Sequence, residues 1–133
     1  MKKATHPHGP LMPAVIYARS ASGSPAQLAG QELVCRRFAQ AHSFRVVAVC
    51  RDNGRVGKGF DQAVQIGSQR RAVLIIERTD RLGRRAVEAL PRISLVHDAG
   101  LSVIDAETGF DWSEHFADLA RFAHAVRRVV VPR

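Results

Sequence analysis

A chain of 133 residues with 46% hydrophobic residues is about one domain, long enough to bury a full core. Only 6% of the residues are aromatic, which argues against single-stranded nucleic-acid binding by base stacking, since that needs aromatic platforms. The net charge of +8, carried mostly by arginine, favours a polyanionic partner such as DNA or RNA over an acidic small molecule.

Residues 1–13, MKKATHPHGPLMP, are basic and proline-rich and are expected to form a disordered tail. His6 and His8 lie there without an accompanying carboxylate or cysteine, so they are read as tail residues, and no metal or cofactor is expected. Residues 14–19, AVIYAR, form the first apolar strand, ending on Arg19. Ser24 then caps a helix whose first position is Pro25, a fixed φ where no amide hydrogen is missed, and which runs to about residue 42. Leu28, Cys35, Phe38 and Ala39 share the face that lies on the sheet.

Residues 45–50, RVVAVC, form the second strand, with Asp52 at its carboxyl end. The segment NGRVGKGF carries three glycines together with Arg55 and Lys58 and reads as a mobile basic loop. A phosphate-binding P-loop is rejected, because Gly59 stands where a hydroxyl residue should follow the lysine and the glycine spacing is wrong. Residues 61–69 form a short helix. Cys35 and Cys50 read as small buried hydrophobes in a reducing compartment rather than as a disulfide framework. No apolar run approaches the roughly 20 residues of a membrane span, and the N-terminus lacks the apolar core of a signal peptide, so a cytoplasmic protein is expected.

The stretch AVLIIERTDRLGRR, residues 72–85, opens as a continuous apolar run, the pattern of a central parallel strand covered on both faces. Ligands in open α/β sheets sit beyond the carboxyl ends of such strands, and here that end carries Asp80 with Arg78, Arg81, Arg84 and Arg85. Four guanidiniums around one carboxylate suit phosphate; the bland alternative is a solvated basic loop. Residues 84–99 have helical spacing in Val87, Leu90, Ile93 and Val96 or His97, with Gly100 closing the helix and Pro91 expected to kink it or move its start. Residues 101–104 form a fourth strand. A last helix begins with the capping-box pair Asp111 and Glu114 and runs to about residue 128. Its stripe of Phe116, Leu119, Ala120, Ala123 and Val126 either closes the domain or pairs with a second subunit. The element order implies an α/β fold: a mostly parallel sheet of about four strands with helices on both faces, in one domain over residues 14–133.

Three stretches, YARSAS at residues 17–22, DNGRVGKGFD at 52–61 and TDRLGRR at 79–85, resemble in order and spacing the catalytic domain of resolvase/invertase-type serine recombinases, over about residues 14–104. The resemblance implies a flavodoxin-like three-layer sandwich and DNA strand cleavage and exchange through a phosphoserine link. Carried over position by position, it assigns active-site roles to Arg19, Asp52, Asp80, Arg81 and Arg84. Arg55, Lys58, Arg78 and Arg85 are further candidate DNA contacts. Two positions depart from the pattern. The family's nucleophile falls at position 21, where this chain has Ala21, and a methyl group cannot form the link. The loop arginine that follows an aspartate in the family is replaced by Gln62 after Asp61, and one such donor is worth a few kcal/mol, about 3, at a transition state. Ser20 and Ser22 flank position 21. Ser20 is expected on the opposite side of the strand, whereas Ser22 is the candidate substitute nucleophile.

Family members continue from a long dimerisation helix into a DNA-binding domain, whereas VVVPR follows the last helix here. DNA affinity is therefore expected from the basic surface alone, salt-sensitive and independent of sequence. Three readings compete: a stand-alone recombinase catalytic domain, a catalytically silent module that binds DNA phosphates or pairs with a partner recombinase, and an unrelated flavodoxin-like ligand-binding domain that would leave the matched arginines unexplained. A homodimer through the last helix is expected, and no membrane association.

Overall fold

The computed structural model describes residues 11–115 and residue 121. His6, His8 and the apolar stripe from Phe116 to Val126 lie outside the described residues. Five strands form one sheet in the order β2-β1-β3-β4-β5, where β1 is Met12–Ser20, β2 Phe44–Asn53, β3 Val73–Ile76, β4 Val103–Asp105 and β5 Phe110–Asp111. The first four are parallel, and β5 pairs antiparallel with β4. The apolar run of residues 72–76 is thus the central strand, as its lack of a polar face requires. The expected helix start at Asp111 is instead the end of β5, a strand of two residues, too short to show a period in the sequence. Trp112–His115 then makes a 3₁₀ turn, and Asp111 Oδ1 accepts from the Ser113 amide at 2.9 Å and hydroxyl at 2.7 Å.

Helices cover both faces. The alternation of β1 sends Ala14 and Ile16 against Cys35 and Ala39 of α1, Pro25–Ala41. It sends Val15 and Tyr17 to the other face, among Phe60 and Ala63 of α2, Lys58–Arg70, and Leu90, Ile93 and Val96 of α3, Ala86–Asp98. β1 begins earlier than its apolar patterning suggests, since Met12 and Pro13 already pair with Phe44 and Arg45. Pairing with β3 starts only at Ala14, so Pro13 lies alongside a single neighbour, where a missing amide is tolerated.

Two further departures have physical causes. The basic loop after β2 is much shorter than expected, because α2 starts at Lys58 rather than at Asp61. Asp52 accepts the amides of Gly57, Gly59 and Phe60 at 2.8, 2.8 and 3.0 Å, which gives the first turn the cap its own sequence lacks. Pro91 does not displace the start of α3, which begins upstream at Ala86 and continues through the proline. Glu88 fixes that start by accepting the amides of Arg84 at 3.0 Å and Arg85 at 3.4 Å. None of the described helices is long and apolar enough to cross a membrane.

Close approach of α2 to β2 makes a glycine obligatory. A Cβ at Gly59 would lie 2.1 Å from the Arg51 carbonyl oxygen, a backbone atom that cannot swing aside. Gly30, inside α1, has nothing within 4 Å of its Cβ position. Gly59→Ala is therefore expected to lower unfolding free energy by about 3 kcal/mol or more, while Gly30→Ala should raise it by about 0.5–1 kcal/mol. Urea denaturation of the two variants beside the parent checks both signs.

Candidate phosphate-binding groove

The chain passes from β2 on one side of β1 to β3 on the other, so the carboxyl ends of β1 and β3 flank the point where strand order reverses, the usual place for a ligand in such sheets. Arg19 stands there, at the end of β1. Its amide donates to Gln31 Oε1 at 2.9 Å, and its carbonyl accepts from Gln31 Nε2 at 2.7 Å. Its guanidinium, only 8% exposed for the residue as a whole, donates through Nε to the Arg81 carbonyl at 2.9 Å, through Nη1 to the Gly54 carbonyl at 2.9 Å and through Nη2 to the Asp80 carbonyl at 3.2 Å. Every partner is a neutral dipole. The hydrogen bonds meet the cost of burial while the positive charge stays uncancelled.

Beneath Arg19, the Tyr17 hydroxyl donates to Asp52 Oδ2 at 2.7 Å. Burial, with the Asp52 hydrogen bond, pushes the Tyr17 phenol well above its ordinary value, so it stays protonated as a donor. Burial alone would raise the Asp52 carboxyl, but the Tyr17 hydroxyl and the three backbone amides outweigh it and hold the group below the ordinary carboxylate value.

The TDRLGR stretch forms a 3₁₀ turn, Thr79–Leu82. Asp105 Oδ2, at the end of β4, accepts from the Thr79 amide at 3.0 Å and hydroxyl at 3.1 Å, and Trp112 Nε1 donates to Thr79 Oγ1 at 3.3 Å. Gly83 follows at φ +155°, where an added Cβ would meet Glu88 Cβ at 2.5 Å, so the turn packs directly on the first turn of α3.

A groove of about 500 Å³ opens over this arrangement, lined by Arg19, Arg55, Val56, Gly83, Arg84, Glu88 and Arg92. Of the sequence candidates, Arg19, Arg55 and Arg84 come together in it. Asp52 lies below, committed to Tyr17 and the start of α2. The four arginines expected around Asp80 do not converge on it. Arg81 turns chiefly to Glu77, with Nη2 at 2.8 Å and Nε at 3.0 Å; Arg85 pairs with Glu88 at 3.4 Å; and Asp80 keeps Arg78 at 3.3 Å and the Nε of Arg81 at 3.8 Å. Lys58 is the first residue of α2 and is not a wall of the groove.

Ala21 is exposed in the turn after β1, and Gln62 is exposed on α2; neither lines the groove. Ser20 is 1% exposed, with its hydroxyl bonded to Gln27 Oε1 at 2.7 Å. Ser22 is exposed, and its Oγ lies 3.2 Å from Ser20 Oγ and 3.4 Å from Gln27 Oε1, beside α1 rather than in the groove. Cys35 and Cys50 are free and buried, and burial, aided by Glu77, pushes the Cys35 thiol up to about 12.

Sequence reasoning passed over Gln31, Asp105 and Arg92. Gln31 carried a usable signal: it falls on the helical face of Leu28 and Cys35, where a polar side chain must have a buried partner. Asp105 closes an apolar strand as Asp52 does. Nothing in its neighbourhood distinguishes Arg92 from a solvated helix charge.

The family model described as Resolvase, N terminal domain, matches residues 14–128. No functionally curated protein matches the chain. Among solved structures, a resolvase family site-specific recombinase from Streptococcus pneumoniae is similar at TM-score 0.71 and 19% identity, with 90% of each chain covered. The N-terminal catalytic domain of TP901-1 integrase gives TM-score 0.69 at 17% identity, covering 89% of this chain and 98% of that one. The C-terminal catalytic domain of ISC1926 TnpA, an IS607-like serine recombinase, gives 0.63 at 25% identity, covering 83% and 79%.

The Asp52 network makes stability depend on pH in a defined direction. A carboxyl whose folded pKa is depressed contributes fully above its unfolded value, about 3.9, and loses that contribution as pH falls through the lower folded value. Asp52→Asn is expected to cost about 1–3 kcal/mol near neutral pH, since an amide oxygen cannot satisfy four donors. The gap to the parent should close on acidification. Urea melts across a pH series check this, and parallel curves for parent and variant would reject it.

Proposed function

The chain belongs to the resolvase family, its match to that family's N-terminal domain covering residues 14–128, and from this premise we propose that it holds DNA phosphate at the recombinase site without cutting the strand. The observation that carries the reading is the contrast between Arg19 and Ala21. Arg19 is fixed by Gln31 and three carbonyls and lines a groove with Arg55 and Arg84, a setting suited to phosphate oxygens. Two residues on, Ala21 offers a methyl group, which has no lone pair with which to attack phosphorus. Gln62 brings no charge to a pentavalent phosphate. Ser22 is a poor replacement in this geometry, because its hydroxyl lies with Ser20 and Gln27.

Duplex DNA is the partner in this reading, bound weakly and without sequence preference through its backbone, in the cytoplasm, where the two buried thiols remain reduced. Incubation with a duplex followed by denaturing electrophoresis should show no covalent protein–DNA adduct, and Ala21→Ser combined with Gln62→Arg is the variant in which one is expected. An adduct from the unaltered chain overturns the silent reading, and its loss in Ser22→Ala but not in Ser20→Ala identifies the substitute nucleophile.

A second copy of the chain, or a partner recombinase, belongs to the same proposal, through the stripe of Phe116, Leu119, Ala120, Ala123 and Val126 read from the sequence. Sedimentation should give a dimer that Leu119→Glu converts to monomers, because a charge placed in an apolar interface has no partner there. A monomer from the unaltered chain rejects the pairing.

A further inference from the structure

Two sets of arginines bear on the groove and its surroundings. Arg36 and Arg51 pair with Glu32, Arg78 with Asp80, Arg81 with Glu77 and Arg85 with Glu88, and none of these five lines the groove. The four that do line it, Arg19, Arg55, Arg84 and Arg92, take part in no ion pair among the described residues. Glu88 is the one acid on the groove wall, and its oxygens are turned to the amides of Arg84 and Arg85 and to the Arg85 guanidinium. A concavity lined by four arginines without an ion pair, whose one acid is turned away to amides and to Arg85, carries a concentrated positive field.

Arg92 is held in this field as Arg19 is. Its Nη1 donates to the Leu82 carbonyl at 2.7 Å and the Glu88 carbonyl at 3.3 Å. Both partners are uncharged, and Nε and Nη2 have no hydrogen bond to the described residues. Together the two side chains take the consecutive carbonyls of Asp80, Arg81 and Leu82, so each guanidinium is oriented by the same turn before any ligand arrives. If Arg92 served only to cap the turn, a neutral donor would suffice; a guanidinium with one nitrogen anchored and two left over is suited to an anion.

We infer that Arg92 is a phosphate contact, a fourth groove charge delivered from α3, which offsets the charge missing at Gln62, and that the groove receives a stretch of duplex-DNA backbone rather than one isolated phosphate. At about 500 Å³ the cavity has the size of a site for a multi-group ligand. Fixed Arg19 and Arg92 set the position of the strand, and Arg55 and Arg84, whose guanidiniums have no protein partner among the described residues, close on it. This assignment rests on the phosphate-binding reading above.

The test is binding of a fluorescent duplex of arbitrary sequence to the full chain, followed by anisotropy as potassium chloride is raised. Arg92→Gln and Arg55→Gln should each reduce the log–log salt slope by about one unit. Arg92→Lys should keep the slope, and Arg37→Gln, an exposed arginine on α1 across the sheet, should leave it unchanged despite the same loss of net charge. A second measurement needs no folded variant: phenylglyoxal modification of the unaltered chain, read by mass spectrometry, should show Arg92 and Arg55 protected by the duplex and Arg37 unprotected. Absence of salt-dependent binding by the unaltered chain overturns both this assignment and the reading beneath it. Binding that persists with an Arg92→Gln slope equal to the parent's, or with Arg92 modified equally with and without DNA, overturns the assignment alone.

Discussion

A nearly buried guanidinium whose hydrogen bonds all end on main-chain carbonyls is the constraint on which this structure depends. Arg19 projects from the end of β1 and reaches the segment after β2 at Gly54 and the turn after β3 at Asp80 and Arg81, so one side chain ties together the carboxyl-end connections of three adjacent strands. Had those partners been carboxylates, the same geometry would have been neutral. With carbonyls the connections are fixed and the charge is kept.

The acids show the complementary pattern. Asp52 organises the start of α2, Glu88 the start of α3 and Asp105 the Thr79–Leu82 turn, each by accepting backbone amides. Carboxylates placed this way do structural work at helix and turn starts, where orphan amides are the need. None of the three forms an ion pair with an arginine that lines the groove. Glu77 acts differently: it holds Arg81, a residue that the family motif would place at the phosphate, outside the groove. The uncompensated charge passes instead to Arg55, Arg84 and Arg92.

An alanine at position 21 is compatible with this architecture because its side chain takes no part in the packing. Ala21 is exposed at the tip of the turn, outside both hydrophobic clusters, so a side chain there can change without repacking the sheet. The residues that hold the turn are Ser20, whose carbonyl accepts the amides of Gly23 at 3.1 Å and Gly54 at 2.7 Å, and Ser24, the cap of α1. On the proposed reading, chemistry and scaffold are separable here, and phosphate binding depends on the scaffold.

What the sequence determined by itself was the part governed by local rules. An apolar run without a polar face placed β3 in the middle of the sheet, Ser24 and Pro25 marked the start of α1, and the strand ends carried Arg19, Asp52 and the TDRLGR turn. Spacing of this kind survives in one dimension because strand and helix periods are intrinsic to the backbone. Which arginines face the groove was decided only by tertiary structure. Arg81 and Arg85 stand beside Arg84 in sequence and are captured by Glu77 and Glu88, whereas Arg92, on the next helix, is turned into the groove by the Leu82 carbonyl. The same is true of α2, whose start at Lys58 rather than Asp61 depends on a carboxylate at the end of β2. A charge has no periodicity of its own; its role is fixed by the dipoles and counter-charges that folding brings within hydrogen-bonding distance, and those partners come from separate segments of the chain.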